Sequence, residues 1–273
     1  MKKTILYSLM VFLLAITACT PIDDKDDMTG NLTADQIDAT VNIEQIAGKN
    51  VNKVTFECHS PINCQWTNGV TTVTGACGEM PMFTTGAQTI TLTGRCGDGS
   101  TITKEFPVTV DEMYYSVAPE YGYLCGDGEK SWVWDDDLNA PLGNGGYLVH
   151  TAPEWWKISF NDMEQQCIDN KIPVEEGRNG SMTFTLNGMK LTKSGGSEGT
   201  FTFDMQKRVQ LNGADWTIGK LYTKNVEVLM GALSPTTEYD IYILNDEKLY
   251  VGYAAPGTGQ WGGCFYWCFK AKK

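Results

Sequence analysis

The chain has 273 residues, 42% of them hydrophobic and 20% charged, with 33 acidic against 21 basic side chains and a formal charge of −12. An acidic chain repels phosphate backbones and anionic lipid, which argues against nucleic acid and polybasic membrane contacts and leaves neutral ligands as the easier partners. The length beyond the leader allows one large core or two modest ones, and two are expected.

The chain opens as an export signal: Lys2 and Lys3, an apolar run over 5–16, then small residues leading into Cys19. That run is too short to span a bilayer, which takes about 20 apolar residues. Ile16-Thr17-Ala18-Cys19 resembles the lipobox of bacterial lipoproteins. The resemblance implies that residues 1–18 are removed as a signal peptide and that Cys19 carries the lipid, so the membrane is met through the anchor only. The competing reading is an ordinary signal cut nearby, with Cys19 a free thiol. Residues 19–38 read as a solvated acidic tether, with Asp23, Asp24, Asp26 and Asp27 around Lys25. This cluster resembles the acidic export signal of Bacteroidetes lipoproteins, which implies an outer-membrane, surface-exposed location.

Residues 39–112 read as the first domain. Val54, Phe56 and Cys58 share one strand face; Ile90, Leu92, Gly94 and Cys96 share another. Period-two alternation of this kind marks half-buried antiparallel strands. With 70–74 and 101–110, six or seven strands make an immunoglobulin-like sandwich. Eight cysteines remain beyond Cys19, an even number that suggests disulfides in an exported chain. The inward positions of Cys58 and Cys96 invite a bridge packed on Trp66, with Cys64 and Cys77 as a second candidate pair. Cys264 and Cys268, four apart on one strand, would lie about 13 Å from each other and cannot pair there. Without a Cys-x-x-Cys spacing, and with only His59 and His150 as histidines, a zinc site is not expected. The Trp66-Thr-Asn-Gly69 turn, Thr89-Ile-Thr-Leu-Thr93 and Gly97-Asp-Gly99 resemble PKD-type modules of bacterial surface lipoproteins, which implies a spacer.

Residues 113–273 read as an aromatic-rich second domain holding seven of the eight tryptophans. Strand-like runs at 131–134, 156–160, 181–186, 199–204, 216–222, 239–244, 249–253 and 264–270 predict an all-β jelly roll or closed barrel. A short helix over 161–168 is expected as an insertion, capped by Asn161 with Glu164 three residues on.

The richest candidate surface is Trp132-Val-Trp-Asp135, Gly143-Asn144 and Trp155, joined by Trp261 in the loop before the last strand. Indoles on a sheet offer flat apolar platforms for the C–H faces of sugar rings, with carboxylates and amides for hydroxyls. Trp132, Trp134, Trp155 and Trp261 are expected to stack and Asp135 and Asn144 to bond hydroxyls; burial in the core is the competing reading for each indole. Trp267, in phase with Phe265 and Phe269, is expected to face inward. No cofactor is expected. Asp135, Asp136 and Asp137 with Asn139 offer hard oxygens for a structural calcium, and a solvated turn is the stronger reading.

Trp132-Val-Trp-Asp135, Gly145-Gly-Tyr147, Pro153-Glu-Trp-Trp156 and Trp267-Cys-Phe-Lys270 resemble C-terminal domains of surface lipoproteins from Bacteroidetes polysaccharide-utilisation loci. The resemblance implies non-catalytic capture of an oligosaccharide or polysaccharide for a partner outer-membrane transporter. Two alternatives stand: a glycoside hydrolase, whose paired carboxylates would come from Glu164, Glu175, Glu176 or Glu198, and an adhesin or structural lipoprotein without a small ligand. No Glu-x-Asp-x-x-Glu strand is present.

Overall fold

Alternation at 54, 56 and 58 and at 90 and 92 sends those side chains into one core, and Trp66 fills its centre. Seven antiparallel strands surround it: β1 (Ala39–Ile46), β2 (Lys49–Cys58), β3 (Asn63–Thr67), β4 (Thr72–Thr74), β5 (Cys77–Pro81), β6 (Gly86–Arg95) and β7 (Thr101–Val110). They form two sheets, β1-β2-β5 and β4-β3-β6-β7, packed as an Ig-like sandwich. The computed structural model describes residues 32–273. The signal, Cys19 and the acidic aspartates at 23–27 lie outside the described residues. Ile37, assigned by sequence to the tether, is buried in the sandwich core.

No disulfide staples this core, which corrects the expected bridges: the cysteines from Cys58 to Cys268 are all free. Trp66 packs instead on Phe56, ring centroids 4.6 Å apart, and its Nε1 donates to the Gly75 carbonyl at 3.0 Å. Cys64 lies opposite Gly94 on β6. The thiol beside Cys64 is that of Cys58. Cys77 is exposed on β5 and is no partner for the buried Cys64.

The second domain contains β8 (Glu129–Trp134), β9 (Leu142–Gly146), β10 (Lys157–Ile158), β11 (Ser181–Thr185), β12 (Lys190–Lys193), β13 (Glu198–Asp204), β14 (Gln210–Leu211), β15 (Ala214–Asp215), β16 (Gly219–Lys224), β17 (Glu238–Leu244), β18 (Lys248–Tyr253) and β19 (Gly263–Ala271). Eight of them, β8-β11-β12-β13-β16-β17-β18-β19, pair in chain order, and β19 returns to β8, closing an antiparallel ring. Sequential pairing makes this an up-and-down barrel, so of the two expected architectures the structure takes the barrel. Side chains can just fill eight strands, and here they do: Trp132, Trp134, Phe184, Phe201, Trp267 and Phe269 lie in one buried cluster.

The closing seam is short, with only Trp134, Val133 and Trp132 facing Phe269, Lys270 and Ala271. Asp135 reinforces it. Its backbone N–H donates to the Cys268 carbonyl at 3.0 Å, while its carboxylate takes hydrogen bonds from the Lys248 ammonium at 3.0 Å and from the Tyr250 hydroxyl. β9 and β10 leave the ring and lie beside the first half of β19.

Two short helices interrupt the strands. Pro119–Cys125, unforeseen in sequence, starts with Pro119, whose fixed φ and missing N–H suit a first helical turn. Met163–Asp169 begins two residues later than expected. Its N-terminal flank is Asp162, while the Asn161 side chain accepts from Arg178 at 3.1 Å, so Asn161 is not the cap.

Candidate functional site

The outward side chains of β19 build the candidate site. Trp267 points into the barrel, so Tyr266 points out, and its hydroxyl bonds the carbonyls of Gly146 and His150 at 3.1 and 2.9 Å. That fixes the turn after β9 against the barrel wall. His150 Nδ1 accepts the Gly146 N–H at 2.9 Å, which places the proton of the neutral ring on Nε2.

Two indoles stand edge-on to this imidazole: Trp155 with its centroid 6.3 Å away and Trp261 at 5.9 Å, at interplanar angles of 87° and 88°. Gly146 makes room for them, since a Cβ there would come within 3.2 Å of Trp155 and 3.3 Å of Trp261. Both rings are largely open to solvent, Trp155 at 50% and Trp261 at 61% exposure. Trp156 diverges from its neighbour to lean on Phe265, as opposite side-chain directions require.

Trp261 also has φ +66°, a left-handed conformation that costs a bulky residue about 1–2 kcal/mol. Its N–H donates to the Tyr147 carbonyl at 3.0 Å, which holds the strained loop against the β9 turn. Backbone strain maintained at an exposed aromatic residue is a common mark of a functional position.

Of the residues singled out from sequence, Trp155 and Trp261 converge here. Asn144 serves them from behind: its carbonyl accepts the N–H groups of Glu154 and Trp155, and its Oδ1 accepts that of Trp156 at 3.0 Å. It therefore shapes the 153–156 turn, and its amide oxygen is already engaged.

The other three residues are corrections. Trp132 and Trp134 share one strand face as expected, but that face is the barrel interior, and they are 0% and 2% exposed. Their Nε1 atoms donate to the Leu124 carbonyl at 3.0 Å and to the Gly177 carbonyl at 2.8 Å. Neither indole can stack on a sugar. Asp135 is sealed by Lys248, Tyr250 and the Asp137 N–H, so its oxygens face protein. Burial pushes its carboxyl up, yet the Tyr250 and Lys248 hydrogen bonds outweigh that and hold it below the usual range.

The carboxylates of Asp135, Asp136 and Asp137 do cluster. Lys248 meets Asp135 and Asp137, and Lys270 meets Asp136 and Asp137, so ammonium groups already compensate the triad. Glu176, one of the carboxylates weighed for hydrolysis, is buried, paired with Lys193 at 2.9 Å and accepting the Met230 N–H at 2.7 Å. It supports the fold. His150, the hub of the cluster, was missed because an isolated histidine carries no spacing signal. The adjacent Gly145-Gly146 pair was the one local hint of a crowded turn.

No protein-family model matches the chain, and no curated protein matches it. Among solved structures it is similar to the crystal structure of the PKD1 domain from Vibrio cholerae metalloprotease PrtV, at 21% identity and a TM-score of 0.23, covering 27% of this chain and 95% of that one. Among the described residues, no helix is long and apolar enough to cross a membrane.

Proposed function

We propose that the protein is a lipid-anchored outer-membrane surface protein that binds glycans without cleaving them, for capture and uptake beside a partner transporter. The observation that carries this reading is the convergence of two solvent-open indoles, Trp155 and Trp261, on one imidazole, with one indole held in a strained backbone conformation. Flat exposed aromatic rings beside polar donors suit the apolar faces and hydroxyls of sugar rings. The filled barrel favours a surface site over an enclosed one.

A screen of the mature protein against plant, host and microbial polysaccharides tests the reading. Retardation in native gels without release of reducing ends supports capture. Release of reducing ends would instead favour a hydrolase and direct attention to Glu164, Glu175 and Glu198. Silence in both assays would favour an adhesin or structural role.

A further inference from the structure

On the outer wall of the barrel, the strand register sets Lys220 of β16 beside Asp240 of β17, and Asp240 beside Gly252 of β18. Lys220 and Asp240, together with Tyr147, Glu238 and the turn at 254–258, line a cleft of about 400 Å³. Asp240 is the anomaly in it. The residue is only 6% exposed, and its Oδ1 is sealed from solvent without a hydrogen-bond partner. The Lys220 ammonium stands 3.2 Å from that oxygen but is shared with Glu238. A buried acceptor left in this state is costly, and native proteins keep few of them. Burial accordingly pushes the Asp240 carboxyl up, and Lys220 offsets only part of that. Tyr147 faces the same cleft, and its hydroxyl feels burial and the Asp240 charge.

The cleft adjoins the aromatic pair. The Tyr147 carbonyl accepts the Trp261 N–H, and the turn closed by Thr258 N–H to Ala255 O at 3.0 Å runs on directly to Trp261. We infer that this cleft is the polar half of the same binding surface and takes a neutral, hydroxyl-rich sugar ring, whose O–H groups donate to the Asp240 carboxylate and bond the Tyr147 hydroxyl. The inference rests on the glycan-binding reading and adds a substrate class to it. The donor that the structure gives the Asp240 carboxylate is an ammonium shared with Glu238, and a sugar hydroxyl in the cleft adds a second. Two carboxylates against one ammonium leave the cleft net negative, which selects against uronate and sulfated chains.

The test is affinity electrophoresis of the full mature chain in gels containing neutral polymers (mannan, xylan, mixed-linkage β-glucan, starch) or polyuronates (alginate, polygalacturonate). At least one neutral polymer should retard the wild type, and neither polyuronate should. Asp240→Asn should weaken retardation about tenfold and Tyr147→Phe about threefold, both without a fall in melting temperature. Should Asp240→Asn fail to fold, Tyr147→Phe decides alone, because it removes one oxygen only. If both variants bind like wild type while Trp261→Ala loses binding, the cleft is overturned and the aromatic platform stands. If the cleft variants lose binding while Trp155→Ala and Trp261→Ala do not, the cleft stands and the platform falls. Retardation by polyuronates alone, or by no neutral polymer, overturns the inference.

Discussion

Trp155 and Trp261, 106 residues apart in sequence, stand edge-on to the same His150 ring at 6.3 and 5.9 Å. Nothing local brings them together. β9 and β19 pair through Gly146 and Gly263, and that register places the turn after one strand against the loop before the other.

Truncating the exposed and buried indoles should therefore give opposite results. Trp155→Ala and Trp261→Ala should each weaken glycan binding about tenfold while changing stability by less than about 1 kcal/mol, since both rings are half or more in water. Trp132→Ala and Trp134→Ala should cost about 3–5 kcal/mol by opening a cavity in the barrel. Urea denaturation paired with native-gel retardation checks both. Equal destabilisation by all four substitutions would show that no exposed platform exists.

The left-handed backbone at Trp261 allows a finer separation. Trp261→Gly and Trp261→Ala both remove the ring, so both should lose binding alike. Glycine should nevertheless be the more stable by about 1 kcal/mol, because it alone adopts φ +66° freely. Equal stability of the two variants would mean that the loop relaxes once the indole is gone.

Asp135 ties β8 to β18 across the closing seam, and its carboxyl is held below the usual range. A depressed carboxyl confers stability that is present above the unfolded value of about 3.9 and is lost as pH falls through the folded one. Asp135→Asn should cost about 3 kcal/mol at pH 7, the low end for breaking a buried pair because Lys248 is part-exposed. It should also flatten the decline in stability below pH 4. Melting curves from pH 3 to 7 measure both effects, and an unchanged acid limb would remove Asp135 from its role at the seam.

Thiol chemistry reports on the absent bridges. Burial pushes Cys125 up to about 12, and burial together with Cys58 does the same to Cys64; Cys167 and Cys264 rise to about 11, chiefly through burial. In a Cys19→Ser protein at pH 8, an aromatic disulfide reagent should label Cys77 alone in the native state and all eight cysteines after unfolding. A shortfall after unfolding would reveal disulfides that the structure does not contain.

Much of the fold was legible because alternation is a direct consequence of strand geometry. Val54, Phe56, Ile90 and Leu92 point into the sandwich, and Trp267 points into the barrel, as their phase requires. Phase alone does not say which face of a strand is the inside. The carboxylate of Asp135 beside the Trp132–Trp134 face read as a polar partner for a sugar, whereas the aspartates form seam ion pairs at the end of β8. Trp261 was legible as a loop residue among glycines, and Trp155 as one of two adjacent indoles that must point to opposite sides. Their meeting at His150, and the isolation of Asp240 beneath Lys220, depend on cross-strand registers that no local pattern encodes.

The most direct measurement is titration calorimetry of the wild type and the Trp155→Ala/Trp261→Ala double variant with oligosaccharides from whichever polymer retards the wild type. Loss of measurable binding in the double variant, with its melting temperature and pH 3 to 7 stability profile unchanged, is the expected result. An affinity equal to that of the wild type would contradict the assignment of glycan binding to this aromatic pair.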